Sequence, residues 1–511
     1  MWWIISVFLT IAGVIALLRY LTLSQNNGYV LPKTKRFFRF YIATSLCVSV
    51  IYVLSVPAIL VEEKIIYAAT ILSILYVISL SVKFFSYRIK FKFTSRGRKN
   101  FIFSLFSLIF ALSTIAIFVK KPNIIVLAIC PVLLGEPLII GIVLILSNLY
   151  YDRKNARFIN EQKERLKSIS PLVVGITGSY GKTSCKNILK NLLYDDFNVY
   201  CTDKNFNTPM GVALSVEKLP FDTEVFIAEF GARKTGDINE LCTLFPPNYG
   251  IITGVCEQHT ETFGSIEDIC REKFVLAQSV SDNGGTCVFN GNDKNVLRMW
   301  KDYKGKKIVA TSFKKGDVYA VDISLGASGS KFNLVVDGKA YPCRTSLLGR
   351  HNIQNVVMCV ALALELGCKV EKLVEKIENL PQTPHRLEYT FANGVYILDD
   401  GYNGNIVGVK SSLEVLASFP GRHIVVSQGI VELGQREAEI NETVGRELSE
   451  VADVVILCGV NSKFIEKGLK SRNFQGHIIM AKNMRNVKKC IGETVKVGDT
   501  VLLQNDVPDI Y

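Results

Sequence analysis

The apolar residues of this chain are concentrated in its first 150 positions, which divides the sequence into two parts. The chain has 511 residues and is 49% hydrophobic, a high value for a soluble enzyme. Each of five apolar runs approaches or exceeds the roughly 20 residues that a helix needs to cross a bilayer. The runs are 2–18, 40–60, 65–82, 101–119 and 124–149. The sequence therefore predicts an all-α transmembrane region of about five helices over residues 1–150.

The basic residues between these runs predict the orientation of the region. The loops after the first and third runs are rich in Lys and Arg, whereas the alternate connections carry far fewer. Because basic loops stay in the cytoplasm, we expect a multi-pass protein of the bacterial cytoplasmic membrane, with everything after residue 150 in the cytoplasm. These flanking charges also explain much of the net charge of +13. We therefore predict the lipid bilayer as a partner, and no nucleic acid.

One carboxyl group lies inside the fifth run. Glu136 is flanked by Gly135 and Pro137, and Pro131 precedes them. An ionisable residue within a membrane is a candidate for function. Alternatively, the prolines break the run, and Glu136 lies near an interface or against a neighbouring helix. Both interpretations stay open.

The cysteines argue against two classes of small-domain scaffold. There are thirteen, and they occur singly, without a C-x-x-C pair or a Cys/His cluster. A disulfide framework or a structural zinc site is therefore not expected.

Beyond residue 150 the sequence changes to a charged segment, predicted as a linker helix over 151–170, and then to a glycine loop. An apolar strand, 172–176, leads into Gly-Ser-Tyr-Gly-Lys-Thr-Ser at 178–184, and a helical stretch follows. In this setting backbone N–H groups and the helix N-terminus bind phosphate. Lys182 is predicted to reach the β- and γ-phosphates of ATP, and the Thr183 hydroxyl to bind Mg²⁺. The predicted nucleotide-binding residues of the loop are Gly178, Ser179, Gly181, Lys182, Thr183 and Ser184.

The loop is two residues shorter than the G-x-x-x-x-G-K-[ST] pattern, and this short form resembles the loop of the Mur ligase family. These ATP-dependent enzymes join amino acids or peptides to cell-wall precursors. Further motifs that resemble the family follow in its order. They are Lys204–Gly211, Glu229–Ala232, His259, the segment around Lys273, Asn290–Asp293, Gly349–Asn355, His385-Arg386, Leu398–Asn405 and Val431–Gly434. The last two are most similar to the branch that adds D-alanyl-D-alanine to a UDP-muramoyl-tripeptide.

The resemblance implies a two-step reaction. The γ-phosphoryl group of ATP passes to a substrate carboxylate, and an amine then attacks the acyl-phosphate. Because two anions must first be brought together, cations are expected to dominate the site. By resemblance, Thr183 and Glu229 hold one Mg²⁺ and His259 binds a second. Lys273 is the family lysine whose CO₂-derived carbamate serves as a further metal ligand, and Lys182, His259 and Lys273 form the catalytic set.

The resemblance also implies contacts to the nucleotide and the substrate. Asn290 and Arg386 are expected to bind the nucleotide, and Asp400 to contact it from the C-terminal domain when the domains close. Such closure excludes water from the acyl-phosphate. The residues implied in substrate binding are Asn205, Asn207, Tyr402 and Asn403.

The alternation of apolar strands and amphipathic helices after residue 170 predicts α/β architecture with parallel sheets. We expect a central P-loop ATP-binding domain over residues 171–383, interrupted by a strand-rich excursion at 306–348. A smaller Rossmann-like C-terminal domain is expected over residues 384–511.

Departures from the family pattern leave the substrate open. The membrane region stands where the soluble D-alanyl-D-alanine-adding enzymes carry a small domain that helps to bind the UDP-sugar. Gly254 and Thr208 occur where that branch usually has Asn, and the chain ends differently. The predicted function is ATP-dependent ligation of an amino acid or dipeptide, D-alanyl-D-alanine in its narrow form, to a UDP- or lipid-linked muramoyl peptide.

Four alternatives remain. Two lie within the ligase class: a ligase acting on lipid-linked muramoyl peptide, and a polyglutamate-type polymer synthetase. A third is an ATP-gated membrane transporter or sensor, which would turn over ATP without forming an amide. A fourth is a scaffold that only binds nucleotide. The oligomeric state stays open.

Overall fold

The computed structural model describes most of the chain, which divides into two compact units, residues 1–156 and 157–509. The described residues are 2–26, 29, 48–53, 65–86, 91–119, 121–257, 260–312, 315–401, 404–431 and 433–504. Each unit has a hydrophobic core of its own.

The first unit is mainly helical in its described residues. Its helices are α1 (Trp2–Asn26), α2 (Ile65–Ser86), α3 (Ser95–Phe118), α4 (Pro122–Leu134) and α5 (Glu136–Ile169). Within the described residues, two stretches are long and apolar enough to cross a membrane, Trp3–Gln25 and Ser95–Ile115. The bent pair α4 and α5 adds a third if it forms one span, and α2 offers a shorter apolar stretch, Tyr67–Ile78. The predicted run 40–60 lies mostly outside the described residues.

The fifth apolar run is interrupted, in agreement with the interpretation that its prolines break it. Helices α4 and α5 meet at Gly135 with a bend of 45°. Pro137 lies in the first turn of α5, where a missing N–H group costs no intrahelical hydrogen bond. Glu136 is buried, and its Oε1 atom has no hydrogen-bond partner among the described residues. The predicted linker helix 151–170 is not a separate element, since it forms the C-terminal half of α5.

Polarity in the first unit is distributed unlike that of a water-soluble bundle. Large apolar side chains are exposed, including Phe106 at 68% and Leu138 at 74%. Polar side chains are buried instead, among them Arg19, Ser73 and Asn100. Such an arrangement suits surroundings that are less polar than water.

The first sheet of the second unit has nine strands in the order β2-β3-β1-β4-β5-β6-β7-β8-β9. They are β1 (Leu172–Thr177), β2 (Val199–Cys201), β3 (Val225–Glu229), β4 (Tyr249–Ile252), β5 (Thr286–Asn290), β6 (Lys306–Thr311), β7 (Val318–Gly326), β8 (Gly329–Val336) and β9 (Lys339–Thr345). Neighbours from β2 to β7 run parallel, and β7, β8 and β9 form an antiparallel meander. The parallel α/β sheet is confirmed. The expected strand-rich excursion is present, although its first strand, β6, belongs to the parallel part.

Helices cover both faces of this sheet. They are α6 (Lys182–Leu193), α7 (Pro209–Glu217), α8 (Asp237–Leu244), α9 (Thr260–Phe263), α10 (Ile266–Asp282), α11 (Lys294–Asp302), α12 (Arg350–Glu365) and α13 (Val370–Glu378). Successive side chains of a strand point to opposite faces. Accordingly, Val174 and Ile176 of β1 join the core with α6 and α12, whereas Val173 joins the core with α7 and α10. A strand buried on both faces is predominantly apolar, and β1 is apolar from Leu172 to Ile176.

The second sheet has six strands in the order β10-β11-β15-β12-β13-β14. They are β10 (Glu388–Ala392), β11 (Val395–Asp400), β12 (His423–Ser427), β13 (Val454–Cys458), β14 (His477–Ala481) and β15 (Thr500–Gln504). All described neighbours run parallel except β10 and β11. The accompanying helices are α14 (Ile406–Leu416), α15 (Glu437–Leu448), α16 (Ser462–Ser471) and α17 (Met484–Thr494), with a 3-10 turn at Gly434–Arg436. This arrangement agrees with the Rossmann-like prediction.

Candidate active site

The glycine loop follows β1 and opens helix α6. Gly178 has φ +153° and Gly181 has φ +79°, both in the region that favours glycine. A Cβ atom on Gly178 would lie 2.1 Å from the Thr253 hydroxyl oxygen. The loop therefore needs glycine at this position both for its backbone conformation and for its close approach to the residue that follows β4.

The side chains after the loop meet a carboxylate at the end of the neighbouring strand. Glu229 is the last residue of β3, which pairs with β1, and it is 2% exposed. The Thr183 hydroxyl donates to Glu229 Oε2 at 3.0 Å, and Asn207 Nδ2 donates to Glu229 Oε1 at 3.2 Å. Lys182 Nζ donates to the Gly178 carbonyl oxygen at 2.7 Å. The predicted metal ligands Thr183 and Glu229 are thus in direct contact.

A cavity of about 330 Å³ lies over these residues. Ten residues predicted from the sequence line it. They are Gly178, Ser179, Gly181, Lys182, Thr183, Asn205, Asn207, Glu229, Lys273 and Arg386. Two lysines, an arginine, a carboxylate and two amides therefore face one space, a set that suits the binding of phosphates beside a second anion.

Lys273, on helix α10, is almost fully buried at the edge of this cavity. Burial, together with the nearby charge of Lys182, lowers the pKa of Lys273 to about 7. The preceding Glu272 accepts hydrogen bonds from Gly236 N at 2.8 Å and Ile238 N at 2.7 Å, at the start of α8. These bonds tie helix α10 to the start of α8, and with a pKa of about 7 roughly half of the Lys273 amine is uncharged at neutral pH.

A second cavity, of about 240 Å³, lies on the other side of the loop. Predicted residues that line it include Ser184, Asn290 and Asp400, and Arg386 lines both cavities. Helix α12 contributes further groups that the sequence had placed in a motif without a role. They are Arg350, His351, Gln354 and Asn355.

Two groups of helix α12, His351 and Gln354, are uncharged and retain hydrogen-bonding capacity. Burial lowers the pKa of His351 to about 4, so the imidazole is neutral at physiological pH. Among the described residues, His351 Nδ1 and Gln354 Oε1 have no hydrogen-bond partner. Gln354 Nε2 is engaged, since it donates to the Ala310 carbonyl oxygen at 2.7 Å. The second cavity therefore adds neutral polar atoms to its charged side chains, which include Arg350, Arg386 and Asp400.

Asn290 lines the second cavity with its amide already engaged. Its Nδ2 donates to the Thr253 carbonyl oxygen, and its Oδ1 accepts from Asn292 N at 2.9 Å. These bonds shape the turn that follows β5. The predicted contact between Asn290 and the nucleotide stays a prediction.

Tyr180, in the glycine loop, was not among the predicted site residues. Its hydroxyl donates to Asp293 Oδ2 at 2.7 Å, and its ring lies against Gly254. A Cβ atom on Gly254 would come within 2.2 Å of Tyr180 Cζ. The glycine found in place of the branch's usual Asn is therefore matched to the tyrosine of the loop.

Three predicted site residues, His259, Tyr402 and Asn403, lie outside the described residues. Asn405, two positions after Asn403 in the sequence, caps helix α14, is buried and lines the first cavity. Arg233 and Asp237 also line this cavity without having been predicted. Both residues follow shortly after the motif Glu229–Ala232 in the sequence.

Two family models match the chain: the Mur ligase middle domain over residues 176–363 and the Mur ligase, glutamate ligase domain over residues 385–504. Together these matches span more than half of its length. The chain belongs to the Mur ligase family. It is accordingly an ATP-dependent ligase, and both cavities of this Mur ligase are lined mainly by residues within the two matched segments.

Several similar curated proteins are UDP-N-acetylmuramoyl-tripeptide–D-alanyl-D-alanine ligases. That of Bacillus subtilis is 25% identical over 346 residues, which cover 67% of this chain and 74% of the relative. That of Escherichia coli is 28% identical over 277 residues, covering 53% and 61%. That of Mycobacterium bovis is 30% identical over 283 residues, covering 54% and 55%. This Mur ligase therefore spans little more than half of the mycobacterial relative and three quarters of the Bacillus one.

Solved structures support the same fold. The MurF ligase from Thermotoga maritima, in complex with ADP, superposes with a TM-score of 0.62 at 26% identity, over 69% of this chain and 80% of that one. MurF from Acinetobacter baumannii gives a TM-score of 0.61 at 22% identity, over 69% and 76%. The second likeness concerns the fold alone.

Proposed function

We propose that this Mur ligase uses ATP to join an amino acid or dipeptide to the carboxylate of a muramoyl peptide, a precursor of peptidoglycan. UDP-muramoyl-tripeptide and D-alanyl-D-alanine, the substrates in the names of its curated relatives, are the first pair to test. The observation that carries the proposal is the convergence of Lys182, Thr183, Glu229 and Lys273 on one cavity.

The first step brings together the two anions that repel each other most. A carboxylate oxygen of the acceptor attacks the γ-phosphorus of ATP, and ADP leaves. Lys182 lies at the start of α6, where the helix dipole also favours negative charge. With Arg386 lining the same cavity, it offsets the charge that the carboxylate and the phosphates bring together.

The second step forms the amide. The incoming amine attacks the acyl carbon, the C–O bond to phosphate breaks, and inorganic phosphate leaves as the amine loses a proton. Water would destroy the acyl-phosphate, so the site must exclude it. Asn405 and Asp400, from the C-terminal matched segment, line the two cavities and support closure over the reacting groups.

The side chains present fit magnesium. The Thr183 hydroxyl and the Glu229 carboxylate, 3.0 Å apart, are hard oxygen ligands of the kind that Mg²⁺ prefers. When bound, Mg²⁺ supplies positive charge that stabilises the transferring phosphoryl group. The pKa of about 7 for Lys273 supports a carbamate there, because only the uncharged amine adds CO₂. We propose two ions, with Lys273 as its carbamate and His259 among the ligands of the second.

We also propose that the first unit anchors this Mur ligase in the bacterial cytoplasmic membrane, as a multi-pass segment of about five helices, with the ligase unit in the cytoplasm. The spans of α1 and α3 and the exposed apolar surface support the anchor. The protein should then sediment with membranes and resist extraction by alkaline carbonate. Release by carbonate would contradict it.

Ligation by the full-length protein in detergent tests the proposal. With ATP, Mg²⁺, UDP-muramoyl-tripeptide and D-alanyl-D-alanine, mass spectrometry should find one amide product for each ADP released, and Glu229→Gln should lose both. A product formed only with another amine or with a lipid-linked acceptor would move the assignment to the other ligases. ADP release without amide formation from any amine would instead favour an ATP-gated transporter or sensor.

A further inference from the structure

A second lysine of helix α6 is buried one turn after Lys182. Lys186 is 2% exposed, and its Nζ atom donates to the carbonyl oxygens of Thr202, at 2.8 Å, and Lys204. The same Nζ atom lies 3.8 Å from Glu229 Oε2. The ammonium group has three donors, and three acceptors surround it.

This arrangement differs from an ordinary solvated lysine. Burying an ammonium group is costly unless it is paired and hydrogen-bonded. The neighbouring helix positions Cys185, Ile188 and Leu189 belong to the apolar core, where an apolar residue would fit. A lysine whose donors all face segment 202–204 and Glu229 therefore connects those elements to the helix of the phosphate-binding loop.

The segment that Lys186 contacts carries Asn205 and Asn207, whose side-chain amides are predicted to bind the substrate. Residues 202–208 lie against Glu229 at both ends: Thr202 Oγ1 accepts from Glu229 N at 3.2 Å, and Asn207 Nδ2 donates to Glu229 Oε1 at 3.2 Å. Between them Lys204 has φ +44°, a left-handed conformation that is unfavourable for a non-glycine residue. The bond from Lys186 to the Lys204 carbonyl oxygen stabilises that conformation.

We propose that Lys186 is a positioning residue that sets the acceptor-binding segment 202–208 against the metal-ligand carboxylate of Glu229. Lys186 does not line either cavity and acts through Asn207 and Glu229. This proposal deepens the proposed function and rests on it, because the proposed function identifies the acceptor.

The kinetic signature is a selective loss of acceptor binding. In Lys186→Met the KM for the acceptor should rise about tenfold, whereas the KM for ATP should change less than about twofold. Lys186→Arg, which keeps charge and donors, should recover part of the loss. Lys190→Met is the matched control, because Lys190 lies one turn further along the same helix and is exposed. An unchanged acceptor KM in Lys186→Met would overturn the inference.

A double variant tests whether Lys186 acts through Asn207. If it does, Lys186→Met combined with Asn207→Ala should raise the acceptor KM no further than the larger of the two single effects. If the two effects multiply, Lys186 acts independently of the segment, and the inference fails.

Hydrogen–deuterium exchange of the full-length protein gives a readout that needs no substrate. Amide exchange in 202–208 should be about tenfold faster in Lys186→Met than in Lys190→Met, with α6 and β3 still protected. Unchanged exchange in 202–208 would contradict the positioning role, as would loss of protection throughout α6 and β3. Faster exchange in 202–208, in a protein that ligates nothing, would refute the proposed function and leave the link from Lys186 to the segment intact.

Discussion

The two cavities beside the glycine loop share Tyr180, Gly181, Thr183 and Arg386 but differ in chemistry. The first is lined by two lysines and the carboxylate of Glu229. The second combines neutral groups of α12, among them His351 and Gln354, with charged side chains such as Arg350 and Asp400. Charged side chains suit phosphates, metal ions and a carboxylate, and neutral polar groups suit a base and a ribose. The difference predicts that phosphoryl transfer and nucleoside binding can be impaired separately.

The origin of the two cavities in the fold explains their difference. The first lies where β1 and β3 end side by side and α6 begins, so loop ends and a helix N-terminus concentrate charge there. The second is built from the start of α12 and the end of β11, elements far apart in sequence. The first therefore gathers charged residues around one local motif, with Lys273 and Arg386 added from distant segments, whereas most residues of the second come from distant segments.

Removing a charge from the first cavity should have the largest effect. Lys182→Ala should reduce the ligation rate about a thousandfold, because the transferring phosphoryl group loses its nearest cation. Binding of ADP should weaken less than about tenfold, since the second cavity is intact. Ligation assays and calorimetric titration with ADP measure the two quantities, with Lys190→Ala as the exposed control. Equal losses of ligation and ADP binding would show that the two cavities do not contribute separately to phosphoryl transfer and nucleoside binding.

Lys273 gives the first cavity a pH dependence. The pKa of its amine is lowered to about 7, so the amine is protonated below that pH and free to add CO₂ above it. Ligation should therefore rise with pH through about 7 and should depend on bicarbonate in carbonate-depleted buffer. Lys273→Met should lose about a hundredfold in rate together with the bicarbonate dependence. A carbamate carbon signal from ¹³C-bicarbonate would be seen directly by NMR, and a wild-type rate indifferent to bicarbonate would exclude it.

Much of the first cavity could be predicted from the sequence, because its parts belong to local motifs. A strand, a glycine loop and a helix specify the positions of Lys182 and Thr183 without long-range knowledge. The family order then added Glu229, Asn207 and Lys273, and the structure brings all of them to one cavity.

Other features could not be predicted, because they depend on contacts between distant segments. Lys186 resembles any helical lysine until the fold places Thr202 and Glu229 around it. The break at Gly135 was one of two interpretations, since prolines also occur within membrane helices.

A smaller effect is expected in the second cavity. His351→Leu should raise the KM for ATP about three- to tenfold and leave kcat unchanged, because one neutral hydrogen-bonding group is lost. The pKa of His351 is about 4, so this residue should add no pH dependence to ATP binding above about pH 5. The exposed His477→Leu is the control. A fall in kcat with unchanged KM would place His351 in the chemistry of the first cavity instead.

The smallest expected effect concerns the wall that the two cavities share. Gly254→Ala places a methyl group against the Tyr180 ring and should destabilise the protein by about 1–3 kcal/mol. In a Tyr180→Ser background the same substitution should cost much less, because the ring is gone. Both penalties can be measured by thermal unfolding of the detergent-solubilised protein, with the retained ADP-binding capacity as the measure of the folded fraction. Equal penalties would show that the cost of Gly254→Ala does not arise from contact with the Tyr180 ring. If the penalties differ, and Gly254→Ala also changes the KM values for both ATP and the acceptor, then the Tyr180 ring couples the two cavities.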